Sequence, residues 1–145
     1  MEKLIGEEIK SLQMLLFRRV VKETQSGKYK DLQLSGMNMF VLRLLYDEKK
    51  HEIFQKDIQK RTASSKSSLS KVLSVMEQKG LITRNDVTDG RFNKIEITEK
   101  GCEVVEYMRD AFIENDRIVS KGITEENMKI FFDCIDKMKK NLSED

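Results

Sequence analysis

The 145-residue chain has no proline, a single histidine, only two cysteines and no long apolar run. Each shortage excludes something. Without proline, nothing forbids long uninterrupted helices. One histidine, His51, is too few for a zinc site or for a histidine-based catalytic constellation, and alone it reads as a surface or turn residue. There is neither a glycine-rich phosphate loop nor a Cys-x-x-Cys pair, so the chain reads as a non-enzyme that needs no metal and no cofactor. No apolar stretch approaches 18 residues and the opening MEKLIGEEIK is charged. Neither a membrane span nor a signal peptide is therefore expected, and no membrane partner. Cys102 and Cys134, in a chain read as cytoplasmic, are expected to be reduced and inert.

What is present is charge with an uneven distribution. The formal net charge is +2, yet residues 54–100 hold 10 Lys/Arg against 6 Asp/Glu, which leaves the remainder at −2. A positive middle between acidic flanks suits an electrostatic footprint confined to one part of the protein.

That middle contains the most informative stretch, SKSSLSKVLSVMEQKGLITRNDVTDGRFNKIEIT, residues 65–98. Leu69, Val72, Leu73 and Met76 recur at helical spacing and form one apolar stripe. The other face carries Ser67, Ser70, Lys71 and Ser74, with Ser65 as a cap, Lys66 on the flank and Ser68 beside it. Small hydrogen-bonding groups and lysines without acid can fit a DNA major groove. Lys79-Gly80 ends the helix. Leu81–Asn85 and Lys94–Ile97 then form a hairpin with Asp89-Gly90 in its loop. Arg84, Asp89, Arg91 and Lys94 complete the candidate DNA-binding set. A helix of this kind followed by a basic hairpin reads as a winged helix-turn-helix.

The rest of the chain frames this unit. A leading helix runs from about Leu4 to Lys22, with Ile5, Ile9, Leu12, Leu16 and Val20 on one face. The polar QSGKYKDLQ connects it to a helix capped by Ser35 and nearly all apolar, MNMFVLRLLY. An extended piece near His51–Ile53 leads into QKDIQKRT, the first helix of the helix-turn-helix. After the hairpin come a helix over Glu99–Val119 and a tail helix. The tail helix is capped by Thr124, with Ile123 and Met128 in the positions of a hydrophobic staple. The expected fold class is mainly α with a small β-hairpin. Residues 1–33 form an N-terminal dimerisation helix and linker, 34–98 the DNA-binding domain, and 99–145 the C-terminal dimerisation helices. The apolar stripes at both ends are the ground for expecting a homodimer.

Here the residues resemble the MarR family of winged helix-turn-helix transcriptional regulators, over nearly the whole length. The likeness is carried by the helix order, by QKDIQKRT followed by SSKSSLSKVLSVMEQKGLI, and by the wing. That wing has Asp-x-Arg and an aliphatic residue four positions on, here Asp89, Arg91 and Ile95, running into ITEKG. The resemblance implies that the helix over 65–78 enters the major groove, that Arg91 reaches the minor groove or its phosphates, and that Asp89 orients it. It also implies a dimeric repressor on a pseudo-palindromic double-stranded operator, released by a small aromatic or apolar anionic effector. No ligand-binding residue is assigned: Phe17, Phe40, Tyr46 and Met108 suit a pocket and a core equally. Oxidant-sensing members carry their cysteine in the leading helix, where this chain has none. Three places depart from the pattern. Phe54 stands where a capping Thr or Ser is common, Thr62 and Ser64 occupy usually aliphatic positions at the turn, and Gly90 replaces a frequent basic residue of the wing. The alternative reading is a winged-helix protein-interaction module. It calls for acidic or apolar residues on the second-helix face, and the face read here has none.

Overall fold

Ser35 shows how local chemistry sets the core. Its hydroxyl accepts the Asn38 N–H at 3.1 Å, while the Asn38 side-chain oxygen accepts the Ser35 N–H at 3.0 Å. This reciprocal cap satisfies two backbone donors that a helix start leaves without partners. The computed structural model describes residues 2–86 and 93–143. Its elements are α1 (Ile5–Thr24), a 3-10 turn (Lys30–Leu32), α2 (Gly36–Asp47), β1 (Ile53–Phe54), α3 (Gln55–Thr62), α4 (Lys66–Gln78), β2 (Ile82–Asp86), β3 (Asn93–Ile97), α5 (Glu99–Val119) and α6 (Glu125–Ser143). The chain forms two compact units, residues 1–111 and 112–145, with α5 running from one into the other. The mainly α class with a small sheet is as expected.

The sheet holds one strand more than the expected hairpin. Its order is β1-β3-β2, all antiparallel, with Ile53 opposite Ile95 and Ile82 opposite Ile97. β1 has only two residues, too few for an alternating pattern to register in sequence. The core of the first unit comes from every layer. Val41, Leu42 and Leu45 of α2, Ile58 of α3, Leu69, Leu73 and Met76 of α4, and Val104, Val105 and Met108 of α5 are all buried beside Leu81, Ile82 and Ile95. Each such side chain contributes roughly 1.5–3 kcal/mol relative to exposure.

The joint between α3 and α4 explains two of the departures from the family pattern. Phe54 cannot cap with its side chain, but the Asp57 carboxylate accepts the Phe54 N–H at 2.9 Å and supplies the cap from within the helix. Thr62 donates its hydroxyl to the Ile58 carbonyl at 2.8 Å, so its polarity is satisfied where an aliphatic residue is usual. The turn itself passes through Ala63 at φ 51 and ψ 28, a left-handed conformation. Gln55, almost fully buried, donates its side-chain amide to the Lys66 carbonyl at 3.3 Å and braces the first turn of α4 against α3.

The other end of α4 is tied down more heavily. Gly80 takes φ +76 immediately after the helix, which an L side chain would resist. The Thr98 hydroxyl donates to the Gly80 carbonyl at 2.6 Å and accepts the Gly101 N–H at 3.1 Å, so one side chain caps α5 and holds the end of α4. Lys100 donates to the Lys79 carbonyl at 2.9 Å, and Lys79 donates to the Leu32 carbonyl of the 3-10 turn. In the second unit, the Thr124 hydroxyl accepts the Asn127 N–H at 3.1 Å, the expected cap of α6. Ile123 and Met128 line one concavity of about 620 Å³, together with Phe132. None of the α6 residues is buried.

Candidate nucleic-acid interface

The α4 helix has two faces of opposite character. Leu69, Leu73 and Met76 are completely buried. Ser65, Lys66, Ser67, Ser68 and Lys71 are exposed, and Ser70 and Ser74 are half-buried. Ser65 acts as N-cap, its hydroxyl accepting the Ser68 N–H at 3.1 Å. A helix start of this kind presents remaining N–H groups and a partial positive charge, both suited to a phosphate. No acidic residue lies in its first turn.

The sequence stripe needs one adjustment. Val72 is only half-buried, and Val75 stands 45% exposed on the outward side. The outward face therefore does hold an apolar residue, contrary to the expectation that it has none. Spacing alone could have found it: counted from Leu69 at 100° per residue, Val75 projects at 240°, which is 120° away from Leu69 and 100° or more from every completely buried residue of the stripe.

Arg84 and Ser74, both candidate DNA contacts, are brought together with each other. The Arg84 guanidinium donates to the Ser74 hydroxyl at 2.8 Å and approaches the Glu77 carboxylate at 3.4 Å. The Arg84 backbone N–H donates to the same carboxylate at 3.1 Å. Alternation along β2 puts Arg84 on the side of Ile82, against α4. Its charge thus neutralises Glu77, the acidic residue of α4, and pins the helix to the sheet. Lys94 takes the opposite side of β3 from Ile95. It pairs with Glu96 at 3.0 Å and Glu52 at 3.4 Å, and hydrogen bonding to Glu96 and then to Glu52 raises its pKa above the usual lysine value. Both cations are engaged within the protein. Asp89, Gly90 and Arg91 lie outside the described residues.

The residues considered for a pocket are scattered by environment. Met108 is buried, Phe40 is exposed, and Phe17, also exposed, lays its ring directly over Gly36. The Tyr46 hydroxyl donates to Glu106 at 3.1 Å, which raises its pKa because ionisation would set two anions together. A second concavity, of about 370 Å³, is lined by other residues, among them Leu45, His51, Glu52 and Lys94. His51 is an exposed residue of the turn before β1, as expected. Cys102 is half-buried and Cys134 exposed, and both are free thiols. Among the described residues, no helix is long and apolar enough to cross a membrane.

Two helices joined by a tight turn, the second with a largely polar exposed face, followed by a two-stranded hairpin that the short strand before them extends to three strands, define a winged helix-turn-helix protein. Residues 32–91 match the model of the MarR family, so the resemblance read from the sequence is borne out over this segment, which is of the MarR type. Solved structures share the fold of nearly the whole chain. S. aureus MepR, in a structure with DNA, is 20% identical with a TM-score of 0.80, over 97% of this chain and 99% of that one. A MarR-family regulator from Listeria monocytogenes, complexed with a 26mer DNA, is 20% identical with a TM-score of 0.80, over 97% and 90%. A MarR regulator from Methanosarcina mazei is 18% identical with a TM-score of 0.78, over 94% and 88%.

Proposed function

We propose that this chain is a homodimeric, sequence-specific DNA-binding transcription regulator, a repressor released by a small aromatic or apolar anionic effector. The observation that carries the DNA-binding reading is the outward face of α4. Ser67, Ser68, Lys66 and Lys71 are exposed beside a capped helix start, and Arg84 neutralises Glu77. Two proteins that share the fold were solved with DNA, which supports the same use here. The lysines and the wing arginine, Arg91, supply phosphate contacts, while side chains on the α4 face meet base edges. Arg84 and Lys94 serve more as internal braces than as phosphate ligands, given their carboxylate partners.

Fluorescence anisotropy with duplexes enriched from a random library tests this reading. Enriched duplexes should bind about 10³-fold or more tighter than random ones. Affinity for both should fall steeply with salt. Failure to bind any duplex at low salt would refute it and favour the protein-interaction alternative. For the effector, an aromatic carboxylate that raises the thermal midpoint should lower operator affinity in the same concentration range.

A further inference from the structure

Serine hydroxyls leave a shortfall in readout. A hydroxyl donates or accepts, so Ser67 and Ser68 separate bases weakly. Ser74 is already engaged by the Arg84 guanidinium at 2.8 Å. Val75 has the chemistry the serines lack. It is 45% exposed on a helix whose core positions, Leu69, Leu73 and Met76, are completely buried without it. At helical spacing it projects within about 40° of Lys71 and about 20° of Ser68, on the basic and hydroxyl face. A β-branched residue gains nothing from helix propensity at such a position. Helical side chains lean toward the N-terminus, so its methyl groups lie over the turn of Lys71, near mid-helix.

We propose that Val75 is a specificity-determining residue that contacts the 5-methyl group of a thymine in the major groove of each half-site. Thymine alone among the four bases offers a methyl group there, and an aliphatic side chain is its natural complement. Lys71, one turn before Val75, and Lys66 supply positive charge for the neighbouring phosphates. This inference rests on the DNA-binding reading above and deepens it by naming the base.

The full-length protein is used first to enrich a random duplex library. Enriched sites should hold a thymine at one fixed position of each half-site. Replacing that thymine with deoxyuridine removes only the methyl group. Wild-type binding should weaken about fourfold per half-site, equivalent to ~0.8 kcal/mol for one buried methyl. Val75→Ala should weaken binding to the thymine duplex by a similar factor and be indifferent to deoxyuridine. Val75→Thr keeps the shape, retains one methyl, and should show an intermediate loss. The salt dependence should not change, because every phosphate partner is kept. Equal wild-type binding to both duplexes, or a Val75→Ala protein that keeps full methyl sensitivity, would overturn the proposal alone. No enrichment of any duplex would overturn the regulator reading and this inference with it.

Discussion

At the scale of single residues, the helix-turn-helix joint carries a local cost. Ala63 sits at φ 51, where a Cβ meets the carbonyl oxygen and an L residue is strained by about 1–2 kcal/mol. Glycine removes that clash but gains freedom in the unfolded chain. Ala63→Gly should therefore stabilise the fold by a net of roughly 0.5–1 kcal/mol, read from the denaturant midpoint. Destabilisation would mean that the Ala63 methyl group packs usefully at the turn. The wing residue Arg91 allows a test of a different kind. A wing arginine mainly serves backbone and groove potential, so Arg91→Ala should weaken binding to all duplexes alike. With two arginines per dimer, the slope of log affinity against log salt should become shallower by roughly 2. Asp89→Ala should act in the same direction but less, since the charge remains. Substitutions at Ser67 or Ser70 should instead change preference among operators by about 1–3 kcal/mol for each base edge left unread, with little change in slope. An unchanged slope and random-duplex affinity in Arg91→Ala would remove the hairpin from the interface.

At the scale of elements, the seam where α4, β2 and α5 meet positions the recognition face. Gly101 of the ITEKG stretch lies so close to the hairpin that a Cβ there would run into the carbonyl oxygen of Leu81, the residue before β2, and come 2.6 Å from Ile97 at the end of β3. Backbone cannot swing aside as a flexible side chain can. Gly101→Ala should cost about 1–3 kcal/mol in chemical denaturation and weaken operator binding by shifting α5 against the hairpin. A loss under about 0.5 kcal/mol would show that the seam yields. This seam also marks where sequence reading succeeds and where it stops. The faces of α2, α4 and α5 were legible because 3.6-residue periodicity, caps at Ser35, Ser65 and Thr124, and the stop at Gly80 are local signals. The extended piece near His51–Ile53 was legible too, but its place as the third strand was not, since β1 is two residues long and joins the sheet only through its tertiary pairing with β3. The same holds at the candidate interface. Of the face read from the sequence, Ser67 and Lys71 stand exposed with Lys66 on the flank, whereas Ser70 and Ser74 are half-buried. That Arg84 spends its charge on Ser74 and Glu77, and Lys94 on Glu52 and Glu96, follows from tertiary contacts with no sequence signature.

At the scale of the whole molecule, large apolar side chains stand exposed on both the leading and the tail helix. Ile5, Ile9, Leu12, Leu15 and Phe17 of α1 are exposed, as are Ile130, Phe131, Phe132 and Leu142 of α6. A monomer seldom shows contiguous apolar patches beyond a few hundred Å². A second copy related by a two-fold axis would cover identical faces on both chains at once. Two α4 helices would then meet half-sites about 34 Å apart, which requires an imperfect palindrome in the operator. The prediction is a dimer in analytical ultracentrifugation at micromolar concentration. Its thermal midpoint should rise with protein concentration, since each tenfold increase adds of order 1.4 kcal/mol to a folding reaction coupled to association. Ile9→Glu and Phe131→Glu each place a charge in the apolar face, where leaving it unpaired would cost far more than it does in water. Either variant should sediment as a monomer while keeping its helical circular dichroism. Operator affinity should fall toward that of a random duplex, because one α4 helix can engage only one half-site. A wild-type monomer with a concentration-independent midpoint, or Glu variants that bind the operator with full affinity, would show that these faces serve some purpose other than joining two copies of the chain.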